Sequence, residues 1–127
     1  MNESTIAFEY FPDQDYLLVK VEGLHEATDN LQIFKDFLEQ MKQSGAKRAL
    51  VDYRQGTYQS TMLMAIDRPK VFEQLHIPRS YTIAGVHTYL TEDLLLLEKL
   101  LQNHQYKFKL FTDIEAAKNW LEIPQID

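Results

Sequence analysis

The start of the chain alternates apolar and polar positions in the manner of two paired strands. The first run, Thr5–Phe11, is rich in β-branched and aromatic residues, and the second, Tyr16–Glu22, is apolar at every second position from Leu17 to Val21. The residues between them, Pro12–Asp15, are typical of a tight turn. The pattern therefore predicts an antiparallel hairpin with one buried face and one face nearer to water.

Helical spacing begins after Gly23, which is expected to end the second strand. Apolar residues three and four positions apart share one face of a helix, so the pattern predicts an amphipathic helix from about Glu26 to Ser44. Its apolar face consists of Leu31, Phe34, Phe37, Leu38 and Met41. Gly45 fits the left-handed residue that commonly ends a helix, and Lys47–Arg54, with Ala49, Leu50 and Val51 at its centre, predicts a short, largely buried strand.

The middle of the chain has helical spacing that is interrupted by a proline. After a predicted loop at Gln55–Ser60, a helix is expected to begin near Ser60 or Thr61. Pro69 lies inside this helix, and proline lacks the backbone N–H and clashes with the preceding turn. The helix is therefore expected to kink or restart at Pro69.

The remaining residues predict two strands, each followed by a helix. Ser80–Thr88 and Tyr106–Phe111 are the strands, and Thr91–Gln105 is the helix between them, with Thr91 as its N-cap. The last helix is expected to open on a capping box of Thr112 and Glu115. Its predicted apolar face contains Ile114, Ala117 and Leu121, with Trp120 beside them, and Pro124 is expected to end it.

The order of the predicted elements defines the fold class. It is β-β-α-β-α-β-α-β-α, and strands that alternate with helices pair in parallel through right-handed crossovers. We therefore predict an α/β fold whose mostly parallel five-stranded sheet begins with an antiparallel hairpin. A length of 127 residues fits one domain spanning residues 1–127.

Composition narrows the classes of function. Without cysteine the chain has no disulfide framework, thiol catalysis or thiolate metal site. Its net charge of −6, without a basic run, argues against binding to nucleic acid or to an anionic membrane. The most apolar stretch is too short and too charged to span a bilayer, and the N-terminus lacks the pattern of a signal peptide. These features predict a soluble cytoplasmic protein.

Three segments carry a resemblance to a known superfamily. They are "LLVKVEG" before the first helix, "SGAKRALVDYR" across the helix-to-strand junction, and "KLFTDIEAAKNWL" at the last strand and helix. Together with the element order they resemble the STAS domain, and within it the SpoIIAA-like (STAS/SEC14-type) small stand-alone bacterial proteins. The resemblance implies a SpoIIAA-like (βα)n fold and a non-enzymatic role in protein interaction or regulation, with no cofactor.

The resemblance also indicates where a regulatory switch would lie. Anti-sigma-factor antagonists of this superfamily carry a phosphorylatable serine in an Asp-Ser-Ser-Gly-type loop at the start of the second helix. The corresponding loop here, "DYRQGTYQSTM", lacks that motif, and Ser60 and Thr61 lie nearest to the switch position. Either residue could be phosphorylated there, or one of them could serve only as the N-cap of the helix.

Candidate catalytic chemistry is limited to one edge of the predicted sheet. Parallel strands place their carboxyl ends at the same edge, so Asp52 and His87 are expected there and could serve a hydrolase or an isomerase. The four histidines have no compact metal-binding spacing, and the scattered glycines form no phosphate-binding loop. An enzymatic site is therefore the least favoured of the three functional hypotheses.

The leading hypothesis is a protein-interaction module that presents the second helix and the loop before it. The residues expected to contact a protein partner are Arg54, Tyr58, Ser60, Thr61, Met62 and Met64. The alternative is a carrier for an apolar or lipid-like ligand, held between a kinked second helix and the sheet. The apolar run "LLLLEKLL" predicts a helix buried on most of its sides, either in the core alone or also in a homodimer contact.

Overall fold

The computed structural model describes residues 5–25, 30–58 and 61–123. Within these residues the strands and helices alternate after an opening pair of strands, in the order that the sequence predicted. The strands are β1 (Thr5–Phe11), β2 (Tyr16–His25), β3 (Arg48–Tyr58), β4 (Thr82–Val86) and β5 (Lys107–Phe111). The helices are α1 (Asn30–Ser44), α2 (Met62–Gln74), α3 (Glu92–Asn103) and α4 (Ile114–Trp120).

The described strands form a single five-stranded sheet in the order β1-β2-β3-β4-β5. The hairpin pairs β1 with β2 antiparallel, from Thr5 opposite Glu22 to Phe11 opposite Tyr16. Every later neighbour pairs in parallel. The predicted α/β class and the mostly parallel sheet with an N-terminal hairpin are therefore confirmed.

The two faces of the sheet are covered unequally. Helices α1, α2 and α3 build the larger core on one face, whereas α4 packs on the other face, over β4 and β5. The central strand β3 is buried on both sides, because Ala49 belongs to the larger core and the next residue, Leu50, to the smaller one. Beyond α4 the second face meets solvent, as the exposed Lys20 and Glu22 indicate.

Strands β2 and β3 extend further than the sequence predicted. Their pairing continues through Gly23 opposite Gly56 to His25 opposite Tyr58, so the predicted strand ends at Glu22 and Arg54 are wrong. Gly23 does not stop β2, because a positive φ of 82° is accessible to glycine within the pair. The first helix begins at Asn30, and its predicted start near Glu26 lies outside the described residues.

The helix ends follow local side-chain chemistry. Gly45 adopts the left-handed conformation expected after α1, and Thr91 caps α3 by accepting a hydrogen bond from the Leu94 N–H. The predicted capping box at Thr112 is wrong, because Asp113 is the N-cap of α4 and accepts from the Ala116 N–H at 3.2 Å. A carboxylate at that position also interacts favourably with the positive end of the helix dipole.

Helix α2 is continuous through Pro69, so of the two predicted outcomes, a kink or a restart, the restart is excluded. The missing proline N–H removes one hydrogen bond from the middle of the helix. Packing offsets this loss, because Ala65 and Phe72 belong to the larger core and Pro69 itself is buried. The helix therefore has a buried inner side, formed by Ala65, Arg68, Pro69 and Phe72.

Candidate functional site

A cavity of about 60 Å³ lies between the sheet and helices α1, α2 and α3. Its wall is almost entirely apolar. The aliphatic and aromatic lining residues are Val19, Val21, Ile33, Phe34, Phe37, Val51, Tyr53, Phe72, Ile83, Leu94, Leu97, Phe108 and Leu110. A space of this size holds roughly four to six waters at about 10–15 Å³ each, so it fits a small molecule and is far smaller than a drug-sized pocket.

Two polar side chains contribute to the cavity wall from different elements. Arg68 comes from the inner side of α2 and is 5% exposed, and its guanidinium carbon lies 4.9 Å from the centre of the Phe34 ring. His87 follows the end of β4, is 7% exposed and stacks on Tyr53 with the ring centres 4.5 Å apart. Both are nearly inaccessible to bulk water.

Burial sets the protonation state of His87. Loss of solvation lowers its pKa from the usual 6.5 to about 4, although the negative charge of Asp52 acts in the opposite direction. The imidazole is therefore neutral near pH 7. Of the lining residues in the described part of the chain, none is acidic, and Arg68 is the one that carries a charge at neutral pH.

Asp52 and Arg54 form an ion pair where the pairing of β2 and β3 shifts register. Two residues of β3, Tyr53 and Arg54, stand opposite one residue of β2, Val21, and the Arg54 N–H donates to Asp52 Oδ1 at 3.0 Å. The guanidinium also donates from Nε to Oδ1 and from Nη2 to Oδ2, each at 3.0 Å. The carboxylate of Asp52 thus accepts a hydrogen bond from the backbone N–H of Arg54 at the point where the pairing of β2 and β3 is irregular.

The pairing of Asp52 with Arg54 shifts the pKa values of both side chains. Burial raises the pKa of Asp52, but the hydrogen bonds and positive charge of Arg54 outweigh it, so the net pKa lies below its usual range. The hydrogen bond to Asp52 raises the pKa of Arg54. Asp52 is therefore ionised at neutral pH and engaged as an acceptor, which favours a structural role over general acid–base work.

The sheet places the side chains of Asp52 and His87 on opposite faces. Asp52 lies beside Val86, which belongs to the smaller core under α4. His87 is the next residue, and it lines the cavity on the face covered by the other three helices. Successive side chains of a strand alternate between faces, so the two candidate catalytic residues do not share a site.

The residues predicted to contact a partner occupy different environments around the start of α2. Arg54 is partly exposed and paired with Asp52, and Tyr58 ends β3, although its side chain lies outside the described part. Ser60 also lies outside the described residues. Thr61 is the N-cap of α2, and its hydroxyl accepts from the Met64 N–H at 3.1 Å.

The methionines of this set differ in exposure, and two neighbours missed by the sequence analysis are more exposed than either. Met62 is 43% exposed and Met64 is half-buried, whereas Leu63 is 80% and Ile66 is 60% exposed. We refer to Met62, Leu63 and Ile66 as the α2 patch. The unbroken apolar run from Met62 to Ile66 was the available signal, since such a run puts apolar residues on more than one side of a helix.

The described residues contain neither a metal-binding cluster nor a membrane-spanning helix. No group of three or more His, Cys, Asp or Glu side chains is arranged there to hold a metal ion. None of the described helices has the length and apolar character needed to cross a membrane. The cavity and the α2 patch are therefore two candidate functional features of the described residues.

Comparison with known proteins identifies the fold. An uncharacterized protein of the DUF3478 family with a SpoIIAA-like fold, from Shewanella loihica PV-4, is 23% identical, with 95% of each chain covered and a TM-score of 0.51. The anti-sigma factor antagonist SpoIIAA in its unphosphorylated form is 9% identical, with 93% of this chain and 98% of that chain covered and a TM-score of 0.53. No family model and no curated protein matches the chain. The SpoIIAA-like fold predicted from the sequence is thus confirmed.

Proposed function

We propose that this protein is a non-enzymatic interaction module with a regulatory role, and that it binds a protein partner through the α2 patch. The observation that carries the proposal is the exposure of Leu63 and Ile66 on a helix whose opposite side is already buried. Single exposed apolar residues are common on protein surfaces, but a contiguous group often marks an interaction site. The patch also adjoins Thr61, which the sequence analysis assigned to the partner surface.

The fold similarity is compatible with this role. The anti-sigma factor antagonist SpoIIAA shares the fold, and regulation through protein contacts is carried over to this chain as part of the proposal. Ser60 and Thr61 remain candidate phosphorylation sites in it. A phosphate on Thr61 would lie at the N-terminus of α2, where the helix dipole favours negative charge, and beside the α2 patch.

The proposal is tested by partner capture with a matched pair of variants. The purified chain is crosslinked to proteins of its native host, and retained proteins are compared for wild type, Leu63→Ser with Ile66→Ser, and the control Lys70→Ser with Gln74→Ser. The control residues are exposed on the same helix outside the patch. A true partner binds wild type and control alike and the patch variant at least about tenfold more weakly, because a buried apolar anchor contributes more than about 1 kcal/mol. Equal retention by all three would refute the proposal.

A second candidate is a carrier for a small apolar ligand, which the cavity favours. The apolar wall and the volume of about 60 Å³ provide room for a compact molecule. The ligand would lie between α2 and the sheet, where the sequence analysis expected a pocket, although α2 does not restart at Pro69. The candidate fails if neither neutral nor anionic apolar probes bind the purified protein.

A further inference from the structure

The outer edge of β1 has no neighbouring strand among the described residues, because β1 stands first in the order of the sheet and pairs there with β2 alone. An edge strand directs the N–H and C=O groups of every second residue away from its neighbour, and these groups can pair with a further strand. Over the seven residues Thr5–Phe11 this edge therefore offers a regular row of hydrogen-bonding groups.

The two edges of the sheet differ in their protection against further pairing. At the far edge β5 carries the exposed Lys107 and Lys109, and lysine on an edge strand is a common means of preventing the addition of another strand. β1 contains neither lysine nor proline, and its register with β2 is unbroken from Thr5 to Phe11. Its sequence, TIAFEYF, combines β-branched and aromatic residues with a single charge. β1 is therefore the edge that favours the addition of a strand.

The side chains of β1 indicate what an added strand must carry on the face of the larger core. Ile6, Phe8 and Tyr10 are half-buried and pack against that core. Because β1 is an edge strand, the outer flank of each of these side chains has no neighbour within the described sheet. Side chains directly across two strands contact each other, so apolar residues at alternate positions of an added strand would complete this apolar row.

The opposite face of β1 and the rest of the hairpin are acidic. Residues 5–25 contain four carboxylates, Glu9, Asp13, Asp15 and Glu22, against one lysine, Lys20, so their net charge is −3 with histidine neutral. Glu9 is exposed on β1 itself, and Asp13 is exposed in the turn that follows. Opposite charges across two strands are stabilising and like charges are destabilising, so basic residues fit the remaining alternate positions. A second copy of this chain is disfavoured, because it brings the same carboxylates.

We propose that the outer edge of β1 binds an extended segment of a protein partner in which apolar residues alternate with lysine or arginine. The segment adds a strand to the sheet, with its apolar side chains beside Ile6, Phe8 and Tyr10 and its basic side chains on the face of Glu9. In this mode of binding the main-chain hydrogen bonds give affinity and the alternate side chains give specificity. The contact uses no residue of the α2 patch, so the inference is independent of the proposed function.

The test measures amide hydrogen exchange by NMR in the full chain, alone and with three synthetic heptapeptides. The first alternates lysine with valine, the second has glutamate in place of each lysine, and the third has proline in place of the central valine of the first. Proline lacks the N–H and interrupts strand pairing, so the third peptide keeps the charge but cannot extend the sheet. The amides of β5, the other edge of the sheet, are the internal control.

We expect the lysine–valine peptide to slow the exchange of alternate amides in Thr5–Phe11 and to leave the amides of Lys107–Phe111 unchanged. The glutamate peptide should bind at least about tenfold more weakly, because like charges then face each other across the two strands. The proline peptide should give no protection. Ordering a short peptide opposes its binding, so millimolar concentrations are used.

Charge variants locate the contact on β1. Glu9→Lys should remove most of the preference for the lysine–valine peptide. The control Asp67→Lys makes the same change of charge at an exposed position of α2 and should bind as wild type does. Should Glu9→Lys fail to fold, the comparison of the three peptides on wild type still decides the matter.

Any of five results would overturn the proposal. Equal protection by the lysine and glutamate peptides would show strand pairing without a preference for basic segments. Protection by the proline peptide, or equal loss in Glu9→Lys and Asp67→Lys, would show a general effect of charge. Protection of β1 that rises with the concentration of the protein alone would show that a second copy occupies the edge. Absence of protection by every peptide would show that the edge of β1 does not pair with a further strand.

Discussion

The imidazole of His87 lies in an environment that the sequence did not predict. It lies at the carboxyl end of β4, as expected, but it faces the cavity and stacks on Tyr53. The sequence could not reveal this, because a shift of one position along a strand moves a side chain to the other face of the sheet. Asp52 lies on that other face, paired with Arg54.

Burial of neutral His87 makes the stability of the protein depend on pH. Its pKa is about 4 in the folded state and close to 6.5 in the unfolded state, so the unfolded chain binds the proton more tightly. The contribution is therefore fully present above pH 6.5 and is lost as the pH falls to about 4. The shift of about 2.5 units corresponds to roughly 3 kcal/mol.

We predict that wild type loses about 3 kcal/mol more than His87→Phe between pH 7 and pH 4, measured by urea denaturation. Phenylalanine keeps a flat ring beside Tyr53 but does not titrate. Asp52, whose pKa is lowered, contributes stability above its unfolded pKa of about 3.9 and loses it at still lower pH, so the two effects separate. Parallel pH profiles for the two proteins would contradict the prediction.

At the level of elements, the sequence predicted the order and type of every strand and helix but not all of their ends. Periodicity identifies an element through many residues at once, whereas an end depends on one or two local contacts. The continuation of β3 through Gln55–Tyr58 illustrates this, because these polar and small residues are held in the sheet by pairing with β2. The start of α4 is a second example of an end set by a local contact, because Asp113 and not the predicted Thr112 is its N-cap.

Gly56 provides a test of the extended pairing between β2 and β3. A Cβ added there would lie 2.9 Å from the carbonyl oxygen of Val21 and 3.1 Å from that of Gly23, and backbone atoms cannot move aside without disturbing the pair. We predict that Gly56→Ala lowers the free energy of unfolding by about 1–3 kcal/mol, measured by chemical denaturation.

Gly85→Ala is the matched control for this prediction. An added Cβ at Gly85 would approach the end of the Leu110 side chain at 2.8 Å, and a side-chain methyl can rotate away beside the cavity. Its loss of stability should therefore be smaller than that of Gly56→Ala. If Gly56→Ala proves the more stable of the two, the close approach of β3 to β2 is not as described.

At the scale of the whole molecule, the sequence specified the fold but not the candidate site. Alternating elements are sufficient to predict an α/β sheet, and the described architecture agrees. The cavity, in contrast, is lined by side chains from helices and strands that are far apart in the sequence. From the sequence, Arg68 would be expected at the surface, because charged residues of a helix usually face water. Its burial is visible only in the packed structure.

Exposed apolar residues and the net charge have opposite effects on the tendency of the protein to form dimers. Leu63, Ile66 and the partly exposed Leu95 of α3 offer apolar contacts, whereas a net charge of −6 makes two copies repel each other. We predict a concentration-dependent dimer, with twice the chain mass of 15.0 kDa, that becomes stronger as salt screens the repulsion. Analytical ultracentrifugation measures this directly.

Leu63→Glu tests which surface would form the dimer. A charge placed in the centre of the α2 patch should shift the population to the monomer at every salt concentration, whereas Lys70→Ser should leave the dimer intact. A wild-type protein that sediments as a monomer throughout would rule out self-association in this range. A dimer unaffected by Leu63→Glu would place the contact elsewhere.

Helix α2 carries Arg68 on its inner side and Leu63 and Ile66 on its outer side, only a few residues apart. Thermodynamic reciprocity applies to the binding free energies of any two ligands of one protein. If a molecule in the cavity increases the affinity of the α2 patch for a protein partner by some factor, then the bound partner must increase the affinity of the cavity for that molecule by the same factor. Through the thirteen residues of α2, a small molecule in the cavity would then change how tightly a protein partner binds to the α2 patch, with no chemical reaction required.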